Sequence, residues 1–323
     1  MCTAISFSSV DHYFGRTLDL EYHYDEQVVV TPRNHGILLR KGKPLYAHFA
    51  MIGTATVAED TPLYYDATNE KGLSAAALNF PDNAVYLPPS DEWENVASFE
   101  LIPWLLGQCA DLQQARARLA CLRVTDEPFS DRFAPTPLHW LIADRTGAVV
   151  VEQTARGLEV HDNPVGVLTN NPPFPYHMTN LVNYQNLTRE EPTDRFGAEV
   201  TLTAYSRGMG SVGLPGDVSS ASRFVRAAFV KSNSVCDGDE AASVSQFFHI
   251  LGAVEQVRGC VRVGDAFERT VYTSCCNTDK GIYYYTTYEN RQITAVDMHR
   301  EDLDGSRLIV YPHVRTEQIA RQN

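Results

Sequence analysis

The hydrophobic period of this chain changes twice along its length, and those changes limit the possible folds more than any single motif does. Short β-branched or apolar runs at 3–8, 27–31, 36–40 and 50–57 read as strands. The run LSAAAL at 73–78 carries only small and apolar side chains, as a buried strand or a close packing surface requires. From residue 98 the period lengthens. Segments 98–107 and 111–122 predict helices, the second with Leu112, Ala115, Leu119 and Leu122 on one face. Asp111 followed by Gln114 is a capping-box-like start. Residues 138–143 and 148–153 flank the turn Arg145-Thr146-Gly147 and predict a hairpin. Two further helices are expected at 220–230 and 239–257. A last strand pair is expected at 269–274 and 281–287, joined by Asn277-Thr278-Asp279-Lys280. Strands, then helices, then both again, without strict βαβ alternation, predict an α+β protein with antiparallel sheets rather than a parallel doubly wound one. No repeat, low-complexity block or long linker divides the 323 residues, so one domain spanning 1–323 is expected, long enough to bury its own core.

Charge narrows the function. Lys and Arg total 27 against 40 Asp and Glu, a formal charge of -13. That balance argues against nucleic acid as a partner, since a phosphate backbone calls for a positive surface, and it disfavours an anionic membrane. The first thirty residues mix acids and aromatics where a signal peptide has a basic start and an apolar run. No stretch approaches the ~18–20 apolar residues of a membrane span. A cytoplasmic protein is the expectation. Seven cysteines (Cys2, Cys109, Cys121, Cys236, Cys260, Cys275 and Cys276) form no disulfide framework, being odd in number and irregular in spacing. Without a CxxC pair or an HExxH string, no metal site is expected. Gly208, Gly210 and Gly213 match GxGxxG but run into Leu214-Pro215-Gly216-Asp217, which is loop chemistry rather than a strand-to-helix phosphate turn. No GxSxG elbow is present, and ten histidines are scattered without triad spacing.

The sharper signal lies at the start. Met1 precedes Cys2, and an initiator methionine is usually trimmed when the second residue is small. Trimming leaves one residue with a thiol of ordinary pKa near ~8.5 and an α-amine near ~7.7–8.0. Nucleophile and base then share a residue and titrate close to working pH. Arg16 and Asp19 lie in FGRTLD nearby. A carboxylate there could orient the amine, and a guanidinium beside sulfur favours thiolate. Asn79 in AALNFP, Asn170-Asn171 in VLTNNP and Arg223 in SSASRFVR are polar interruptions of apolar text, suited to binding an oxyanion. Taken singly, each asparagine also reads as a turn residue and Arg223 as a helix-surface charge.

Together these residues resemble the choloylglycine hydrolases, the N-terminal-nucleophile amidases that include bile salt hydrolases and penicillin V acylases. The resemblance rests on MCTAISF, HYFGRTLDLE, VVVTPRN, NEKGLSAAALNFP, ENVASFELIPWLL, GVLTNNPPF, GLPGDVSSASRFVRAAF and FERTVYTSC, in family order from residue 1 to about 275. It implies a four-layer αββα sandwich, two antiparallel sheets between helices. It also implies roles: Cys2 as nucleophile and amine base once Met1 is removed, Asp19 around that terminus, Arg16 against the sulfur, Asn79 and Asn170 as oxyanion hole, and Arg223 steadying the developing charge. Family members are commonly homotetramers joined partly through a protruding loop, which 183–208 resembles here. No cofactor is implied.

Asparagine at position 79 is similar to the bile salt hydrolase branch, whereas the penicillin V acylases typically carry tyrosine. The expected reaction is hydrolysis of conjugated bile salts, glycine or taurine amides of bile acids, through a Cys2 thioester, with acyl transfer to amino acids as a side path. A penicillin V acylase or other N-acyl amidase on the same Cys2 site is the alternative, and a binding protein without turnover is a second. An apolar pocket for the steroid is expected from Leu18, Leu20, Tyr22, Phe80, segment 126–135 and Phe174.

Overall fold

The computed structural model describes residues 1–131, 133–197, 199–236 and 238–323. In chain order the strands are β1 (Cys2–Ser8), β2 (His12–Leu20), β3 (Gln27–Thr31), β4 (Met51–Ala58), β5 (Thr61–Asn69), β6 (Ser74–Asn79), β7 (Glu94–Ala97), β8 (Leu122–Thr125), β9 (Leu138–Asp144), β10 (Gly147–Thr154), β11 (Gly157–Asp162), β12 (Val167–Leu168), β13 (Val261–Val263), β14 (Ala266–Asn277), β15 (Ile282–Thr287), β16 (Asn290–Asp297) and β17 (Ile309–Pro312). The helices are α1 (Leu101–Gln108), α2 (Leu112–Leu119), α3 (Phe174–Leu181), α4 (Ser220–Asn233) and α5 (Glu240–Gly252).

Two antiparallel sheets result. One orders its strands β12-β1-β2-β14-β15-β16, with β13 on β14; the other runs β11-β10-β9-β6-β5-β4-β3-β17. The small side chains of LSAAAL explain the layering. Along β6 and β9, Ala76, Leu78, Leu141 and Ala143 pack into a core shared with Ala4 and Phe14 of the first sheet and with Phe224 and Phe247 of α4 and α5. The intervening Ala75, Ala77, Trp140 and Ile142 pack against Leu101, Leu105, Leu112 and Leu119 of α1 and α2. A strand buried on both faces reads as a continuous apolar run rather than an alternating one. The order is therefore helices, sheet, sheet, helices: the αββα sandwich.

Local signals behave as their chemistry dictates. Asp111 caps α2 by accepting from the Gln114 amide at 2.8 Å, and Ser219 and Asp239 cap α4 and α5 in the same way. Gly15 lies where β2 runs beside β14, and a Cβ there would stand 2.1 Å from the Ser274 carbonyl oxygen. Segment 36–40 is not a strand. Its backbone pairing is confined to a bridge between Ile37 and Leu45, and Leu38 is exposed. The helix expected at 111–122 stops at Leu119, and Leu122 instead opens β8 beside β7. The helix expected at 239–257 ends at Gly252. All seven cysteines are free thiols, and burial pushes Cys276 up to about 12. No helix among the described residues is long and apolar enough to cross a membrane.

Candidate active site

Cys2 is the first residue of β1, opposite Leu18 on β2, and is 2% exposed. The same pairing sets Arg16 opposite Ala4, and β14 then brings Thr270 opposite Asp19. Adjacent strands thus deliver Cys2 and Arg16 to one cavity, with Asp19 beside them but outside its lining.

Arg16 is fully buried and spends its donors on backbone. Nε donates to the Thr17 carbonyl at 3.1 Å, and Nη1 donates to the Tyr65 carbonyl at 3.1 Å and to the Ala77 carbonyl. Nη2 is left without a partner among the described residues. Burial opposes its charge, but the charges of Cys2, Tyr272, Asp66 and Asp19 outweigh that and hold its pKa above the usual arginine value. Asp66 is a buried carboxylate beneath this guanidinium. It accepts from the hydroxyls of Tyr272 (2.5 Å), Tyr283 (2.8 Å) and Ser274 (3.0 Å), and burial pushes its pKa up.

Asn170 has every polar group engaged. Its amide donates to Ser220 Oγ at 2.9 Å, and its carbonyl accepts from His177 Nε2 at 2.9 Å. Its Oδ1 accepts from the Cys2 amide at 2.7 Å and from Arg223 Nη2 at 2.8 Å, while Nδ2 donates to the Asn79 carbonyl at 2.7 Å. Arg223, also fully buried, reaches back to β1. Its Nη1 donates to the Cys2 carbonyl at 2.5 Å and to Thr3 Oγ1 at 2.7 Å, and its Nε donates to the Val218 carbonyl at 3.0 Å. Burial lowers its pKa. These contacts make Arg223 a clamp on Cys2 and Asn170. Asn79 is different: its side chain makes no hydrogen bond among the described residues and lines the cavity beside Cys2.

At the terminus, Asp19 works through its backbone. Its carbonyl accepts from the Met1 ammonium at 2.8 Å, and its amide donates to the Met1 carbonyl at 3.0 Å. Its carboxylate takes hydroxyls, Thr270 Oγ1 at 2.6 Å and Thr17 Oγ1 at 3.2 Å. The carboxylate that pairs with the Met1 ammonium belongs to Glu268.

A cavity of about 430 Å³ opens from Cys2, Arg16 and Asn79. Leu18, Leu20, Leu63, Phe99, Phe129, Phe133 and Leu138 line it, so segment 126–135 supplies wall, while Arg132 lies outside the described residues. Phe99 meets Phe129 edge-on at 5.3 Å, and the Arg40 guanidinium rests on the Phe129 ring at 5.1 Å. Three residues expected on this wall are elsewhere. Tyr22 is 60% exposed, and Tyr24 lines the cavity instead. Phe80 is buried and stacked on His139 at 4.2 Å. Phe174 is buried against Phe224 at 6.2 Å. Tyr22 and Tyr24 lie beyond the end of β2 at Leu20, where no strand period fixes which of them faces the cavity, and a full apolar run gives no sign of which side does. Asp66, Glu268, Thr270 and His177 were not singled out in the sequence; a lone polar residue within an apolar strand, as in YYDAT, was the available signal.

Antiparallel sheets face to face, helices outside, and a cysteine at the head of a central strand define the N-terminal-nucleophile hydrolase class. Residues 2–311 match the family of linear amide C-N hydrolases, choloylglycine hydrolase family, and the chain belongs to that family. It is 50% identical over 313 residues to a bile salt hydrolase/transferase of Lactiplantibacillus plantarum, covering 97% of each chain. The crystal structure of the C2A mutant of a conjugated bile acid hydrolase from Clostridium perfringens superposes with a TM-score of 0.93 at 38% identity, over 100% of both chains. A penicillin V acylase from Agrobacterium tumefaciens shares the fold, with a TM-score of 0.76 at 17% identity over 98% of this chain and 95% of that one.

Proposed function

We propose that this protein hydrolyses the amide bond of glycine- and taurine-conjugated bile acids, with Cys2 as nucleophile after Met1 is removed. The observation that carries the reading is the cavity itself. Its polar end holds a thiol, a free Asn79 amide and the unpartnered Nη2 of Arg16, and the rest of its wall is aliphatic and aromatic. Its volume falls in the ~300–1,000 Å³ range of ligand clefts. A steroid fits that wall, and an amide carbonyl fits that end.

The Cys2 α-amine takes up the thiol proton as Sγ attacks the carbonyl, and the Asn79 side chain donates to the tetrahedral oxyanion. Asn170 and Arg223 fix the Cys2 backbone. The freed α-amine of Cys2, held by Asn170 Oδ1, protonates the departing glycine or taurine. Water, or an amino acid acting as acceptor, then cleaves the thioester with the same amine as base. The net charge of -13 repels an anionic substrate at a distance, and the buried Arg16 and Arg223 offset it at the site. Shared sequence with the bile salt hydrolase/transferase relatives supports the substrate class.

The reading extends to a cytoplasmic enzyme that assembles as a homotetramer through 183–208, a segment that exposes Phe196 (76%) and Tyr205 (86%). Light scattering behind a sizing column tests the assembly. The activity test is amino-acid release from glycocholate and taurocholate, wild type beside Cys2→Ser, with penicillin V in parallel. Release that Cys2→Ser abolishes is the expected result. Cleavage of penicillin V alone would make the protein an acylase instead, and silence on all three would sink the bile salt reading and leave a Cys2 amidase of another substrate or a binding protein.

A further inference from the structure

Glu268 poses a problem that maturation creates. It is a buried carboxylate, 4% exposed, on β14. Its ion-pair partner is the Met1 ammonium, and no Lys, Arg or His side chain stands within ion-pair distance of it among the described residues. Removal of Met1 deletes that cation and leaves Glu268 facing the Asp19 carbonyl across a vacated slot. A buried charge stripped of its partner is costly, so the carboxyl either takes up a proton or finds another positive group in that place. One is created by the same cleavage. The new terminus is the Cys2 nitrogen, one residue along the chain, and successive backbone nitrogens stand no farther apart than about one ~3.8 Å residue step.

We infer that Glu268 is the counter-charge of the Cys2 α-amine in the processed enzyme, a positioning residue that holds the ammonium directly or through one water in the Met1 slot. The inference rests on the reading of Cys2 as a freed N-terminal nucleophile. The surrounding charges favour it. Arg223 on α4 and Arg16 on β2 both place positive charge beside Cys2. The Asp19 carboxylate on β2 is already taken up by Thr17 and Thr270. Arg269, beside Glu268 on β14, turns to Glu289 and the Glu21 carbonyl. The Cys2 thiol on β1 is carried by the same residue as the amine. Burial pushes the Glu268 carboxyl up, the Met1 ammonium opposes that rise, Asp19 adds to it, and Arg223 opposes it more weakly. The carboxylate therefore gains most from a nearby cation.

The test uses Glu268→Gln, which keeps the shape and removes the charge, and Glu268→Asp, which keeps the charge. Mass of the N-terminal peptide first establishes that each variant starts at Cys2. Two pH profiles are then taken: kcat/KM on glycocholate, and the rate of Cys2 alkylation by iodoacetamide without substrate. A negative charge favours the protonated forms of both amine and thiol. Its removal should therefore move the acid limb of both profiles to lower pH by about 1 unit, the scale of one partly screened charge at ~5 Å. Glu268→Asp should stay near wild type. Unmoved profiles in processed Glu268→Gln would overturn the inference while leaving Cys2 as nucleophile untouched. A Glu268→Gln protein that retains Met1 would also overturn it, placing Glu268 in maturation instead. If the wild type fails to release amino acid, the function falls separately, and the alkylation profile still decides the role of Glu268.

Discussion

Replacing Arg223 by methionine removes a buried charge and its donors while keeping much of the volume. Four oxygens lose a partner: the carbonyls of Cys2 and Val218, Thr3 Oγ1 and Asn170 Oδ1. Thr3 can reorient, and Asn170 Oδ1 keeps the Cys2 amide, so the Cys2 carbonyl is the acceptor left most exposed to loss. A buried acceptor without a donor costs ~1–3 kcal/mol, and relief of the arginine's own desolvation offsets part of the total. A net destabilisation of about 3 kcal/mol is expected, which for a chain of this length lowers Tm by roughly 4 °C. The effect on rate should be larger. Cys2 and Asn170 lose the clamp that sets their separation, and a 1 Å misplacement costs about 100-fold. Calorimetry together with steady-state kinetics on glycocholate checks both numbers. Arg223→Met with wild-type kcat would refute the clamp, whatever its Tm.

Asn79→Ala should lower kcat by ~100–1,000-fold with little change in KM, because its donor acts on the oxyanion rather than on the bound amide. Phe129→Ala removes a wall of the cavity and should raise KM for a steroid conjugate ~10–100-fold while kcat holds, as lost apolar burial of ~1.5–3 kcal/mol requires; equal KM in wild type and variant would place the steroid elsewhere. His12 sits between Ser6 Oγ and Thr278 Oγ1, each at 2.8 Å, and burial lowers its pKa to about 4. The folded state therefore binds fewer protons than the unfolded state between pH ~6.5 and 4, and stability drains away across that window as pH falls. Urea unfolding of His12→Gln beside wild type should show the variant gaining up to about 3 kcal/mol relative to wild type from pH 7 to pH 4; a constant difference would mean His12 titrates normally.

Period and capping chemistry made the layers legible. LSAAAL, the Asp111 cap and the hairpin at 138–153 are local signals, and local physics formed them. Segment 36–40 misled because Ile37, Leu38 and Leu39 satisfy a strand pattern while the fold offers only Leu45 to pair with. At the site, the resemblance named Cys2, Arg16, Asp19, Asn79, Asn170 and Arg223, and the fold brings them together. Their division of labour was not legible. That Asn170 is saturated while Asn79 is free depends on β6, α3 and α4 converging from distant stretches of chain. The same holds for Glu268, which meets residue 1 only because β14 lies beside β2. Phe80 and Phe174 illustrate the limit for pockets, since an apolar side chain serves core and cavity equally well.

The central claim is that Cys2, with its own amine free, carries the acyl group. Mass spectrometry of the N-terminal peptide, taken from active enzyme quenched in acid during turnover of glycocholate, tests it most directly. The expected result is a peptide beginning at Cys2, part of it heavier by a cholyl thioester that hydroxylamine removes. Active enzyme that retains Met1, or an acyl adduct on any other residue, would contradict the account.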